Sequence, residues 1–500
     1  MRGYKLFCII FFFFISLFYS VNAYSEDIEE SIKELQNRLM ELEMKLNQMK
    51  QQQKEQALES RVLKMEKELS PFMKPNTFRV YWKDHLTFET PNKEFKLKIV
   101  GRIQNDWTWQ SANQSFEDAF RKGFGDEKAF EDGTEFRRTW FGIDGAIYEK
   151  IIFHGEWDFT DGDTDFIDVY MGIKDVPYLG HIMIGHFWEP FSLEDMTPNI
   201  YITFMERSHV ATAFAPDRNT GIKFYNTLLN DRIHWSFGVF RNTNSFGDSS
   251  NGKNSSTSDD GEYDITARIT GLPWYEEDGR KLLHLGLAVS RRSPHEDQKR
   301  YSDRPPVHQT TTFVDTGTKD KNGLDVFYDK IYLLGTEAAL VYGPLSIQSE
   351  WAIAMNDRTG KGKVNFTSDD DVDFTSWYIY ASYFLTGEHR EYNKSTGTFG
   401  GITPRDNFYD KKTGYGLGAW EAAIRYADID LDDSGIKGGE LDDITLGLNW
   451  YLNKNTRLML NYVTADLDRK ITYIDPDRAV QRRFKNGDYH AFMMRFQLFW

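Results

Sequence analysis

Lys98 and Arg102 lie on the polar side of an alternating segment whose other side is Phe95, Leu97, Ile99, Gly101 and Ile103. Successive strand residues point to opposite faces, so the two cations share one face. A second basic pair, Arg137 and Arg138, belongs to the next polar stretch. Planar guanidinium donors form paired, charge-assisted bonds to oxyanions, so the chemistry on offer is reversible anion binding. Because Arg137 and Arg138 are consecutive, their side chains start on opposite faces unless a bulge or an inward loop redirects one. At least one of the two is expected on the same side as Lys98 and Arg102.

Bond-making chemistry has no comparable footing. The chain holds no G-x-S-x-G elbow, no H-E-x-x-H, no phosphate-cradling glycine loop and no C-x-x-C. His181 and His186 are five residues apart, on opposite faces of a strand, whereas two ligands on one strand need i, i+2 spacing. The run Asp428 to Gly435 has the alternating oxygens of a calcium loop, but Gly439 stands where the twelfth-position glutamate belongs. It reads as an exposed acidic hairpin. No cofactor, metal site or catalytic residue is expected.

The elements that must position the basic side chains are strands. The last residues place Phe492, Met494, Phe496, Leu498 and Trp500 in an apolar file at period two, with Arg495 and Gln497 on the opposite face. That file suits lipid on one side and a lumen on the other. Residues 1–23 read as a secretory signal: Arg2 and Lys5, an apolar stretch from Leu6 to Tyr19, and Val21-Asn22-Ala23 as cleavage site. Cys8, the only cysteine, falls inside it. Hydrophobic residues make up 40% of the chain, and no run after the signal is long enough for a spanning helix. A barrel needs no such run, since only alternate residues meet lipid.

Between signal and strands lies a different pattern. Ile28, Ile32, Leu35, Leu39, Leu42, Leu46 and Met49 alternate four and three apart, a heptad seam flanked by charge. The register breaks at Gln51-Gln52-Gln53, resumes at Leu58, Val62, Met65 and Leu69, and ends at Pro71 and Pro75. A coiled coil over 26–70 fits better than a lone helix lying on the barrel, because an a/d seam is too narrow for globular burial. It would be about 65 Å long at 1.5 Å per residue and would project into the periplasm.

From about residue 78 to residue 500 the period is two. Short turns such as Tyr451 to Asn455 alternate with long polar stretches: Ser111 to Gly133, Asn242 to Gly261, Arg291 to Asp325 and Thr386 to Gly414. Short turns at one end and long loops at the other, with roughly ten residues per strand, predict about sixteen antiparallel strands. The fold class is thus an all-β transmembrane barrel preceded by an α-helical coiled coil. The formal charge is −16, and −18 without Arg2 and Lys5, which argues against nucleic acid as a partner. It does not set ion selectivity, because a narrow lumen feels its own lining more than distant loops.

Several segments carry a family resemblance, in order, over residues 90 to 500: Glu135-Phe136-Arg137-Arg138-Thr139-Trp140, Phe204-Met205-Glu206-Arg207-Ser208, Phe313-Val314-Asp315-Thr316-Gly317, Phe384-Leu385-Thr386-Gly387-Glu388, Gly418-Ala419-Trp420-Glu421 and Leu448-Asn449-Trp450-Tyr451. The chain resembles the phosphate-selective porin O and P family. The resemblance implies a homotrimeric anion channel in the bacterial outer membrane, with loops folded inward. It implies a ladder of basic residues: Lys93, Lys98 and Arg102, then Arg137 and Arg138, Arg207, and Arg300 and Arg304 in the long loop. Asp168 matches an acidic residue near the family's phosphate site. One departure stands out: Asp195 occupies the place of a lysine in phosphate-selective members, where a carboxylate would oppose a phosphate.

The reading is a passive porin for small anions, phosphate or a related oligoanion, with lipid and two further copies as partners. The alternative is a structural outer-membrane protein whose coiled coil tethers the barrel to the cell wall. Ion flux separates the two.

Overall fold

The structure, a computed structural model, describes residues 77–124, 129–160, 162–248, 262–294, 297–320, 323–360, 370–475, 478–484 and 489–500. The signal and the heptad segment lie outside the described residues.

A hairpin of β1 (Arg79–Lys83) and β2 (His85–Glu89) comes first. Sixteen barrel strands follow. The first eight are β3 (Phe95–Ala112), β4 (Gly133–Ile147), β5 (Ile151–Asp158), β6 (Asp165–Val176), β7 (Gly180–Trp188), β8 (Arg218–Leu228), β9 (Ile233–Arg241) and β10 (Asp264–Glu276). The second eight are β11 (Lys281–Arg292), β12 (Tyr328–Tyr342), β13 (Leu345–Arg358), β14 (Val372–Phe384), β15 (Ala419–Asp433), β16 (Ile436–Asn453), β17 (Thr456–Asp475) and β18 (Tyr489–Phe499). Each pairs antiparallel with the next, and β18 returns to β3 from Tyr489↔Ala112 to Phe499↔Arg102, closing the sheet. Closure leaves no barrel edge unpaired, as a spanning sheet requires. Trp500 extends the seam by exchanging backbone hydrogen bonds with Gly101 at 2.9 and 3.0 Å. A Cβ on Gly101 would come within 2.5 Å of the Trp500 ring, so the close approach requires glycine there.

Alternation sorts the side chains as the sequence predicts. On β18, Phe492, Phe496 and Leu498 are 42%, 48% and 39% exposed, while Arg495 and Gln497 are 0% and 1%. The first set forms the outer surface. The second points inward, where it is packed rather than free in a lumen.

What packs against it is the segment 189–217, which leaves β7 and folds into the barrel. It contains a short helix, α1 (Leu193–Met196), and a π-helical turn over Val210–Phe214. Inward wall side chains hold its backbone. Arg457 Nη1 donates to Ile202 O at 2.8 Å, Asn449 Nδ2 to Thr203 O at 2.8 Å, Gln497 Nε2 to Ile200 O at 3.1 Å, and Arg495 to Met205 O. In return Met205 N donates to Asn461 Oδ1 at 2.7 Å, and Leu193 N and Glu194 N donate to the Glu350 carboxylate at 2.9 and 2.7 Å. A buried loop has polar backbone that must find partners, and the inward face of the barrel supplies them. The loop is as long as Thr386 to Gly414 but lacks the polar composition that marked the four long stretches.

One of those four differs from expectation. Residues 385–418, which include Thr386 to Gly414, join the ends of β14 and β15 at Phe384 and Ala419. Tyr383 pairs with Leu345 and Ala419 with Tyr451, so this end is that of the short turns 343–344 and 454–455. The segment also enters the barrel: Arg268 Nη2 donates to Gly397 O at 2.9 Å, and Tyr392 Oη contacts His284 Nδ1 at 2.7 Å. Loop length therefore does not report sidedness here, because this segment fills space inside the barrel.

The stretch Ser111 to Gly133 includes a helix, Gln114–Phe124, whose Phe116 and Phe120 are fully buried against Phe130 and Phe313, which in turn pack on Tyr489. The acidic run Asp428 to Gly435 forms the β15–β16 hairpin, but it is not the exposed one expected. Ile429 and Leu431 are fully buried and Asp428, Asp430, Asp432 and Asp433 only half-exposed, because the run continues the two strands up to the turn.

Candidate functional site

Where β4 meets β3 the register slips: Gln104 pairs with Arg138, and Asn105 with Phe136. Arg137 is the extra residue of a β-bulge. The bulge turns both arginines inward, where strict alternation would send one to each face. Arg137 Nε and Nη2 each donate to the Glu206 carboxylate at 3.1 Å. Arg138 Nη1 donates to Gln104 Oε1 at 2.9 Å and, among the described residues, forms no ion pair.

Both line an open cavity of about 610 Å³ bordered by the wall, the inward segment 189–217 and the loop after β11. Arg207, Arg218, Arg304 and His308 share this lining with Asp158, Asp195, Glu206, Asp217 and Asp303. Trp140 and Trp188 set the orientation of the guanidiniums. Arg218 lies 4.1 Å from the Trp188 ring, Arg207 5.3 Å from the same ring, and Arg102 4.2 Å from Trp140. A flat guanidinium over an indole face keeps its edge donors free for oxygen acceptors.

Most of these cations are already balanced. Arg102 pairs with Glu156 at 2.7 Å and donates to Asn199 at 2.8 Å. Lys98 pairs with Asp144 at 3.0 Å. Asp168 accepts from Arg218 at 3.1 Å, so the acidic residue expected near the anion site anchors a basic one. Arg207 donates to the carbonyls of Glu194, Asp195 and Thr197 at 3.0 to 3.2 Å and thereby braces the loop. Arg304 is not balanced: it donates to Thr310 O at 3.4 Å and, among the described residues, forms no ion pair.

Of the sequence-derived residues, Arg137, Arg138, Arg207 and Arg304 line the cavity; Arg102 and Asp168 touch it through Trp140 and Arg218, while Lys98, Lys93 and Arg300 lie outside it. Lys93 sits exposed at the β2–β3 turn, with φ 62, at the short-turn end. Arg300 pairs with Asp315 at 2.6 Å on the surface, its side chain 58% exposed. Arg218, Trp140, Trp188 and Glu206 were not singled out from the sequence. Arg218 directly follows Pro216-Asp217 at a strand start, and no periodic pattern marks it as inward.

Asp195 does face the cavity, and its Oδ2 is buried with no hydrogen-bond partner among the described residues. Burial pushes its carboxyl well above the usual range, with Arg207 opposing. The group is held toward its uncharged form, which weakens the repulsion expected from the sequence. Glu206 behaves oppositely. Burial acts to raise it, but Arg137, Arg495 and Arg138 together hold it well below the usual range.

The sequence profile described as "Phosphate-selective porin O and P" matches residues 102–500. The chain belongs to that family. The porin is similar to Porin O of Pseudomonas aeruginosa, 25% identical over 418 residues, covering 77% of this chain and 86% of that one. It is also similar to an uncharacterized protein of Caulobacter vibrioides, 27% identical over 396 residues, 77% of this chain and 71% of that one. Among solved structures it is similar to the trimer form of the outer membrane protein OmpT of Vibrio cholerae, with TM-score 0.47, 13% identity, and 81% and 99% of the two chains covered. The anion-selective porin of Comamonas acidovorans gives TM-score 0.46 at 11% identity, with 81% and 100% covered. The porin is thus a bacterial outer-membrane anion channel, and its family and fold point to passage rather than catalysis.

Proposed function

We propose that the porin passes small anions, phosphate or a related oligoanion among them, through the arginine-lined cavity. The observation that carries this is the bulge at Arg137, which brings both Arg137 and Arg138 to the cavity and leaves Arg138 without a carboxylate partner among the described residues. A monovalent anion about 5 Å from such a guanidinium gains roughly 3 kcal/mol at an effective dielectric near 20. Acidic loops a Debye length or more away are screened, so the nearby arginine outweighs the chain's negative charge. Several balanced cations in series, with Arg138 and Arg304 forming no ion pair among the described residues, suit a path that binds anions briefly and lets them leave. Lys98, Arg102, Arg207 and Arg304 extend this path. Lys93 and Arg300 serve as outlying charges.

The porin assembles as a homotrimer in our reading, with residues 26–70 as a periplasmic coiled coil after removal of residues 1–23. Supporting this are the heptad seam from Ile28 to Met49 and the family.

Single-channel recording in planar bilayers tests the channel reading. Reversal potentials in a salt gradient are expected to show anion preference, and added inorganic phosphate is expected to reduce the chloride current. Cation preference, or no current at all, would overturn it, and absence of current would favour a tethering role.

A further inference from the structure

Glu206 holds an unusual place. Its two carboxylate oxygens accept from Arg137 Nε and Nη2 at 3.1 Å each, and Oε1 also accepts from Arg495 Nη2 at 2.7 Å. Arg138, next to Arg137, adds a third guanidinium charge with no carboxylate of its own among the described residues. Two-oxygen acceptance from clustered guanidiniums is the geometry in which arginine sites hold phosphates and carboxylates. Here the ligand is a side chain of the chain itself.

The tether that presents it is anchored independently of that carboxylate. Phe204 and Met205 are 1% exposed, Met205 N donates to Asn461, and the Ser208 amide and hydroxyl donate to Glu194 at 2.8 and 2.6 Å. Arg425 Nη1 donates to the Glu206 carbonyl at 3.1 Å. The carboxylate itself lines the cavity. Its release would leave the loop in place and free the Arg137 guanidinium, beside Arg138, for whatever anion occupies the cavity. Arg495 would stay fixed by Asp106, to which it donates at 2.7 and 2.6 Å.

We propose that Glu206 is a resident stand-in for the permeating anion: its carboxylate occupies the Arg137 guanidinium beside Arg138, and an incoming oxyanion takes the Arg137 donors, with the Arg138 charge next to them, by displacing it. The proposal rests on the anion-channel reading and adds to it the residue that limits affinity. With Arg137 and Arg138 both open, the site would bind a divalent oxyanion too tightly for rapid exit. An internal carboxylate that returns as the anion leaves keeps each visit short.

The test compares the full-length porin with Glu206→Gln and Glu206→Asp in planar bilayers, titrating inorganic phosphate against the chloride current. Removing a charged competitor that makes hydrogen bonds to charged groups is expected to lower the half-blocking phosphate concentration roughly ten- to a hundredfold in Glu206→Gln. Glu206→Asp, which keeps the charge but withdraws it by one methylene, is expected to fall between the two. Adding Arg137→Gln to Glu206→Gln should return the block toward wild type. Anion preference in the wild type with an unchanged or weaker phosphate block in Glu206→Gln overturns the stand-in while leaving the channel reading intact. Cation preference in the wild type would instead sink the channel reading itself. Failure of both variants to give heat-modifiable, conducting barrels would make Glu206 a structural tie and would also overturn the proposal.

Discussion

His209 Nε2 lies 2.9 Å from Asp443 Oδ2 on β16, while its Nδ1 lies 2.8 Å from Asp303 Oδ2 on the loop after β11. One imidazolium thus ties the inward segment to the barrel wall and to a second loop. Thr212 adds a hydrogen bond to the same Asp303 oxygen at 2.5 Å. Burial alone would lower the histidine, but Asp303 and Asp443 together push it up to about 10.

The sign of the pH effect follows. A histidine whose folded pKa lies above its unfolded value of about 6.5 adds stability that is complete below that value. The contribution is lost as pH rises toward about 10. Open-channel current noise in the wild type should therefore grow between these limits as the inward segment loosens. His209→Gln leaves two buried carboxylates without their cation, a loss of about 3–5 kcal/mol. It should be noisy at every pH. A quiet, pH-insensitive His209→Gln channel would contradict the latch.

Charge removal along the basic path should have unequal effects. Among the described residues Arg138 lacks a carboxylate partner, whereas Arg102 and Lys98 are matched by Glu156 and Asp144. Arg138→Gln is expected to lower the anion-to-cation permeability ratio several-fold, about the effect of 1 kcal/mol or more. Lys98→Gln with Arg102→Gln should lower it less, and Lys93→Gln hardly at all. Reversal potentials rank the three, and a reversed order would mean that the path does not run past the bulge.

At Asp195 the expectation concerns what the carboxyl already lacks. Held toward its neutral form, it resembles asparagine, so Asp195→Asn should leave phosphate block at neutral pH within about twofold. Asp195→Lys places a cation on the cavity wall and should strengthen the block. Phosphate titrations on both variants decide this, and a strong gain in Asp195→Asn would show that the carboxyl is charged.

Assembly is tested by analytical ultracentrifugation in detergent. The mature porin is expected as a three-chain species. A chain lacking residues 26–70 that falls to monomers would make the heptad segment the main contact, because an a/d seam buries little except against its own copies. A monomer for both forms would refute the trimer.

Much of the barrel was legible because alternation is local. Each of Phe492, Phe496 and Leu498 declares its face against Arg495 and Gln497 within a few residues, and the same rule put Lys98 and Arg102 on one side. It also foresaw that Arg137 and Arg138 could share a face only through a bulge or an inward loop. Which of these occurs depends on the partner strand: the slip between Gln104 and Asn105 exists only once β3 and β4 are paired. The sidedness of Thr386 to Gly414 was likewise hidden, since counting strands through a closed sheet decides it, not loop length. The inward course of 189–217 depends on hydrogen bonds between residues hundreds of positions apart, such as Arg495 to Met205 and Arg457 to Ile202. Periodicity records which face a side chain takes. Only the folded chain decides what lies opposite it, because the backbone groups that satisfy a buried arginine come from wherever the loop can reach.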